Sequence, residues 1–196
     1  MTTEFGRGTF VRRRPTLRRV SAARRHAAHR ETGKPVFDAG AISQGRTPSR
    51  RMLFIGRAPL LANAAEWLHA SPGDEVVVRR RVQLLDGEPV VVSASYYPLW
   101  LAAGTRLESP DALPEGPDEL IESLGHRFHR GVEVFSTLMP TPEETELLNL
   151  HAGVPVMHMW DIDYDKDGRP LQAAHDVYAG DKHEFVYEWH ESDVHP

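Results

Sequence analysis

At 196 residues and 22.1 kDa the chain is long enough to bury one sizeable core with at most a short appendage. It has no cysteine, which excludes a disulfide framework, a thiolate zinc site and a cysteine nucleophile. The net charge of -5 hides an asymmetry: residues 1–60 carry fourteen Lys or Arg against three Asp or Glu, and residues 61–196 carry nine against twenty-five. A basic arm on an acidic body fits a segment lying beside something anionic, with a body unsuited to nucleic acid by itself. No apolar run is long enough to span a membrane, and the first thirty positions carry arginines rather than a secretory stretch, so a cytoplasmic protein is expected.

In chain order, Gly6–Val11 (GRGTFV) reads as a hairpin tip, because its glycines permit a tight turn and Thr9, Phe10 and Val11 favour strand. Arg12–Arg30 holds eight arginines, one proline and few large apolar residues, and reads as a linker. Between Arg51 and Ala70, Leu60, Leu61, Ala64, Ala65 and Leu68 recur at helical spacing, and Ser71-Pro72-Gly73 stops that helix. EVVVRRRVQLL and EPVVVSASYYP flank Asp86-Gly87 and predict an antiparallel hairpin. A proline-rich loop over 109–117 leads to a short helix, Asp118–Leu124, ended by Gly125. Thr141-Pro142-Glu143-Glu144 is a capping box opening a helix that ends by Gly153. VPVMHMWDIDY and RPLQAAHDVYA form a second hairpin around Lys166-Asp167-Gly168, and EFVYEW is a last strand. The fold class is α+β, a meandering antiparallel sheet with segregated helices.

Motifs for catalysis or metal binding fail on inspection. The run Asp161-x-Asp163-x-Asp165-x-Asp167-Gly168 resembles a calcium loop, but Ala174 stands where the bidentate Glu belongs and the flanks are strands. His126 and His129 share a face only if a helix runs through Gly125, and no HExxH cluster, serine elbow or phosphate loop exists. On a strand, Arg79, Arg81 and Gln83 point to one face and Arg80 and Val82 to the other, offering a guanidinium and an amide either to a polar ligand or to solvent.

Taken together, GRGTFV, the arginine-rich segment, SPGDEVVVRRR, LLDGEPV, the Tyr-Tyr-Pro stop, LIESLG, MPTPEETELLNLHAGVPV and DKDGRPLQ leading to FVYEW resemble the GntR family of transcriptional regulators. Specifically, the chain resembles the effector-sensing UTRA domain of the HutC subgroup, preceded by the end of a DNA-binding wing. The resemblance implies a chorismate lyase-like fold, a homodimer, a small-molecule effector bound beside the sheet, and repression released by that effector. It implies no cofactor and no metal. It also implies a wing remnant over 1–11, a basic linker over 12–34 and the UTRA domain over 35–196, with operator DNA read by helices lying before residue 1.

Carried over residue by residue, the family's Arg-x-Arg pair falls on Arg81 and Gln83, its pocket glutamate on Ser93, a later acidic position on Gln172, and its tyrosine on Tyr178. The family's hydroxyl-bearing phosphate element corresponds to Gly116-Pro117-Asp118-Glu119, which lacks both hydroxyls. Each lost donor to a buried anion is worth about 1.5–3 kcal/mol, so a phosphosugar is disfavoured. Trp100, Trp160, Tyr96 and Tyr97 suit either an aromatic effector or core packing. The rival reading is a small lyase of the chorismate lyase type.

Overall fold

The computed structural model describes residues 2–4, 8–10, 16–20, 33–110 and 113–188. In chain order these build β1 (Thr2–Glu4), β2 (Gly8–Phe10), β3 (Leu17–Val20), α1 (Val36–Ile42), β4 (Pro48–Pro59), α2 (Ala62–Ala65), β5 (Glu75–Leu85), β6 (Glu88–Pro98), α3 (Leu99–Ala102), α4 (Pro117–Ser123), β7 (Arg130–Leu138), α5 (Pro142–Leu147), β8 (Val156–Tyr164), β9 (Pro170–Ala179) and β10 (His183–Val186). Six strands form one antiparallel sheet in the order β4-β5-β6-β9-β8-β7. This is the predicted α+β class.

The β5–β6 hairpin forms where the sequence places it, because Asp86 (φ 51°) and Gly87 (φ 83°) both adopt the left-handed backbone that a tight hairpin turn demands. β6 is buried along almost its whole length, which explains why VVVSASYY lacks an alternating polar face: both sides of the sheet are covered. One side carries Val76, Val78, Ala94, Ile162 and Ala173, packed against Ala64 and Ala65 of α2 and Leu68 beyond it. The same side continues into Val82, Val92, Val156 and Val177, which meet Leu148 behind α5. The other side holds two apolar clusters, one built around Val77, Tyr97, Leu107, Ile121 and Leu171, the other around Leu17, Leu85, Val91, Met159 and Tyr178.

Several sequence expectations are corrected. Of the helix read from the spacing of Leu60 to Leu68, only Ala62–Ala65 is α-helical, and the stretch ahead of it is β4 over Pro48–Pro59. That strand pairs with the outer edge of β5, from Pro48–Leu85 to Pro59–Glu75. The segment expected to be linker contains β3, which pairs in parallel with β10, Leu17 opposite His183 through Val20 opposite Val186. β10 therefore leaves the main sheet, and Trp189 of the expected final strand lies outside the described residues. The hairpin read at Gly6–Val11 appears as β2 pairing antiparallel with β1, although residues 5–7 and 11 lie outside the described set.

The capping box forms as written. Thr141 Oγ1 accepts from the Glu144 amide at 3.2 Å and Glu144 Oε2 accepts from the Thr141 amide at 2.8 Å. Thr141→Ala should cost about 1 kcal/mol, read as a fall of about 2–4 °C in thermal unfolding.

Candidate functional site

Between the two apolar clusters the sheet is hollow. Directly across the strands, Arg79 faces Ser95, Ser95 faces Ala174 and Ala174 faces Asp161, while in the next row Arg81 faces Ser93 and Ser93 faces Asp176. Cross-strand partners share a face, so the small residues of the central strands lie between arginines on β5 and aspartates on β8 and β9. The result is a cavity of about 750 Å³, roofed by α1, the start of α4 and the prolines of the 110–117 loop. Its volume suits a small organic ligand.

The cationic wall is β5. Arg79 is buried and donates to the Leu107 and Ser109 carbonyls at 3.0 and 2.8 Å, anchoring the loop over the cavity. Arg81 reaches Ser95 Oγ at 3.1 Å. Arg80 points to the opposite face, pairing with Glu143 at 2.8 Å, as strand alternation predicts.

The far wall is acidic. Asp163 Oδ2 accepts from Gln172 Nε2 at 2.7 Å, and Gly131 stands opposite it, where a Cβ would lie 3.3 Å from Asp163 Oδ1. Asp176 accepts from Ser93 Oγ at 2.5 Å and from the Tyr178 hydroxyl at 2.9 Å. Burial first, then the neighbouring Glu133, pushes the Asp161 carboxyl up to about 8, and burial together with Asp161 raises Asp163 well above the usual carboxylate range.

Arg19 of β3 closes this wall. Its Nε donates to Tyr178 Oη at 2.9 Å and its Nη2 to Glu133 Oε1 at 2.7 Å, with Asp161 Oδ2 at 3.7 Å. The guanidinium carbon lies 5.5–5.8 Å from the ring centres of Tyr178, Phe135 and Phe185. Burial alone would lower its pKa, but the surrounding oxygens of Tyr178, Glu133, Asp161 and Asp176 outweigh burial and raise it.

Of the residues named from sequence, Arg81, Gln83, Gln172 and Tyr178 line the cavity. Ser93 does not: its short side chain is fully buried between Arg81 and Asp176, where it supports the acidic wall. Among the aromatic candidates only Tyr97 lines it. Tyr96 and Trp160 stack on the opposite face, with ring centres 6.1 Å apart, and Trp100 lies against Arg169 at 3.3 Å. The sequence reading named Asp118 only within the segment that lacks the family's phosphate hydroxyls, and it missed Arg19, Asp161 and Asp163 as cavity residues. The signal for the last two was the two-residue spacing that had prompted the calcium question; among the described residues no group of three metal-binding side chains occurs.

Asp161 ionises less readily in the fold than in the unfolded chain. The contribution of this group to stability is therefore fully present below about pH 4 and is lost as pH rises towards 8, where only the unfolded chain ionises. The groups setting this are Glu133 on β7, Arg19 on β3, Asp176 on β9, Asp118 on α4 and Asp163 beside it. Asp161→Asn should raise the melting temperature at pH 8 by several degrees, at about 2–4 °C per kcal/mol, and change it little at pH 4. Melting curves across this range give the comparison directly.

A polar cavity roofed by loops and short helices, beside an antiparallel sheet, defines a small-molecule-binding domain. Residues 43–184 match the UTRA domain. The chain belongs to this family, the ligand-binding effector domains of GntR-family transcriptional regulators. It is 27% identical over 190 residues to the HTH-type transcriptional regulator SCO4628 of Streptomyces coelicolor, covering 94% of this chain and 71% of that one. It is 24% identical to the HTH-type transcriptional repressor NagR of Bacillus subtilis, covering 93% of this chain and 70% of the repressor. The crystal structure of PhnF from Mycobacterium smegmatis superposes with a TM-score of 0.74 at 25% identity, over 95% of this chain and 76% of PhnF.

Proposed function

We propose that this chain is the effector-sensing and dimerising part of a HutC-type regulator, a repressor that leaves its operator when a small molecule fills the cavity described above. The observation that carries the reading is the cavity itself, whose wall includes Leu17, Arg18, Arg19 and Val20 of β3. This strand belongs to the basic segment between the β1–β2 hairpin and the body, so an occupant touches the arm on which a DNA-reading unit would be carried. Arg81, Gln83, Gln172 and Tyr178 contact the effector, and Ser93 holds Asp176 behind them. Operator DNA is contacted through a winged helix-turn-helix of which β1–β2 is the wing's end, paired half-sites require a homodimer, and the site of action is the cytoplasm. No helix among the described residues is long and apolar enough to cross a membrane. The domain carries out no reaction: the relatives reported above are transcriptional regulators, and no observation favours the lyase.

The test is a thermal-shift screen of residues 1–196 against small carboxylates, amino acids, sugars and phosphosugars, with Arg81→Ala and Arg80→Ala alongside. A ligand that binds only the folded state raises the melting temperature. Arg81→Ala should abolish that rise and Arg80→Ala should keep it. Equal losses in both variants would overturn the assignment of the cavity as the effector site.

A further inference from the structure

The two walls of the cavity differ in chemistry, and the difference specifies the occupant. Along β5 the groups presented are donors and cations: Arg81, Gln83 and, nearer the loop, Arg79. Two and three strands away are carboxyl groups: Asp176 on β9 and Asp161 and Asp163 on β8, with Asp118 at the start of α4 on the same side of the sheet. Strands lie about 4.8 Å apart, so the backbones of the arginine and aspartate positions are about 10–14 Å apart, and the side chains shorten that gap to the length of a small molecule.

A further observation points to a ligand at this wall. His183, which lines the cavity and is 7% exposed, faces the Ala179 carbonyl through Nδ1 at 3.1 Å, so its Nε2 is an acceptor, and that atom is buried with no partner. Tyr97, fully buried beside Ser95, stands one position beyond the Tyr96–Ala173 pair, next to Gln172, which itself pairs with Asp163. A carboxylate accepts at about four sites, so the Gln172 amide does not exhaust Asp163.

We propose, building on the effector-sensing reading, that the effector is a small zwitterion whose carboxylate pairs with Arg81 and whose protonated amine is held by Asp163 and Asp161. A phosphosugar would place further negative charge beside carboxyls whose ionisation burial already opposes, whereas an ammonium supplies the positive charge that lets them ionise and accept its three hydrogen bonds. A plain carboxylate fills the Arg81 end alone and brings no cation to the acidic end.

The experiment is calorimetric titration of residues 1–196 with three probe sets: α- and ω-amino acids of increasing length, the corresponding carboxylic acids without the amine, and the corresponding amines without the carboxylate. Neutral sugars and phosphosugars complete the panel. At least one amino acid should bind about tenfold to a hundredfold more tightly than either of its single-charge analogues. Asp163→Asn and Asp161→Asn, which keep side-chain size, should each erase that preference while leaving carboxylate binding unchanged. Carboxylates or phosphosugars binding as tightly as amino acids, or variants that keep the preference, would overturn the zwitterion and leave the sensing site standing. Silence across the entire panel would overturn both.

Discussion

Arg19→Ala is expected to be the most damaging single change in the cavity wall, lowering stability by about 3–5 kcal/mol, the cost of removing one partner from a buried ion pair. At about 2–4 °C per kcal/mol this is a fall of roughly 6–20 °C in melting temperature. The side chain is buried among three aromatic rings and touches Tyr178, Glu133 and Asp161, so its loss removes packing and the counter-charge of two carboxylates together. Arg19 holds the Asp161 pKa down, so without it that carboxyl must stay protonated to a higher pH, which costs nothing more at pH 5 and costs more at pH 8. The destabilisation should therefore be larger at pH 8. Arg19→Met combined with Glu133→Gln and Asp161→Asn should recover most of the loss, because an apolar side chain of similar volume then faces neutral groups. If the triple variant melts as low as Arg19→Ala at both pH values, charge is not what Arg19 supplies.

Gly180→Ala should be the next most damaging change. A Cβ at Gly180 would lie 2.5 Å from the Pro155 carbonyl oxygen and 3.3 Å from its carbon, and the Gly180 amide donates to that same oxygen at 3.1 Å. The obstacle is backbone, which cannot swing aside as a side-chain tip can. Forcing such a contact costs about 1–3 kcal/mol and sometimes more. It would also pry apart the ends of β8 and β9, where Val156 meets Ala179. Urea unfolding of Gly180→Ala should show a lower midpoint with an unchanged slope; a parent-like midpoint would mean that the strand ends give way freely.

Much of the fold is legible in the sequence where a local rule is strong. Asp86-Gly87 and Lys166-Asp167-Gly168 set the two long hairpins, and Thr141 with Glu144 sets the start of α5. β4 was misread because Leu60, Leu61, Ala64, Ala65 and Leu68 carry a helical rhythm that obscured the preceding strand; what makes MLFIGRAP a strand is the edge of β5, which is not adjacent in the chain. β7 escaped notice because its partner, β8, follows only after an intervening helix, with no two-residue turn to announce the pair. α1 follows a proline with no side-chain cap, so its start carries no signal.

The candidate site divides along the same line. Strand alternation alone placed Arg81 and Gln83 on one face and Arg80 on the other, and the family resemblance supplied Gln172 and Tyr178. Arg19 was invisible because eight arginines in nineteen residues look alike until one of them is found among Phe135, Tyr178 and Phe185. Asp161 and Asp163 were seen, but as candidates for a turn-bound cation. Asp165 does sit in the turn, accepting from the Asp167 and Arg169 amides, while the earlier pair belongs to the strand and faces inward.

The parallel pairing of β3 with β10 also fixes when the cavity can exist during folding. Its first rung joins Leu17 to His183, residues near opposite ends of the described body, whereas the β5–β6 and β8–β9 hairpins close over a few residues each. Closing so long a loop is entropically the dearest step and gains nothing until the sheet already provides Tyr178 and Glu133 for Arg19 to meet. The six-stranded sheet is thus the template and the β3 wall its latecomer, so a chain emerging from the ribosome has no complete binding site until β10 has been synthesised.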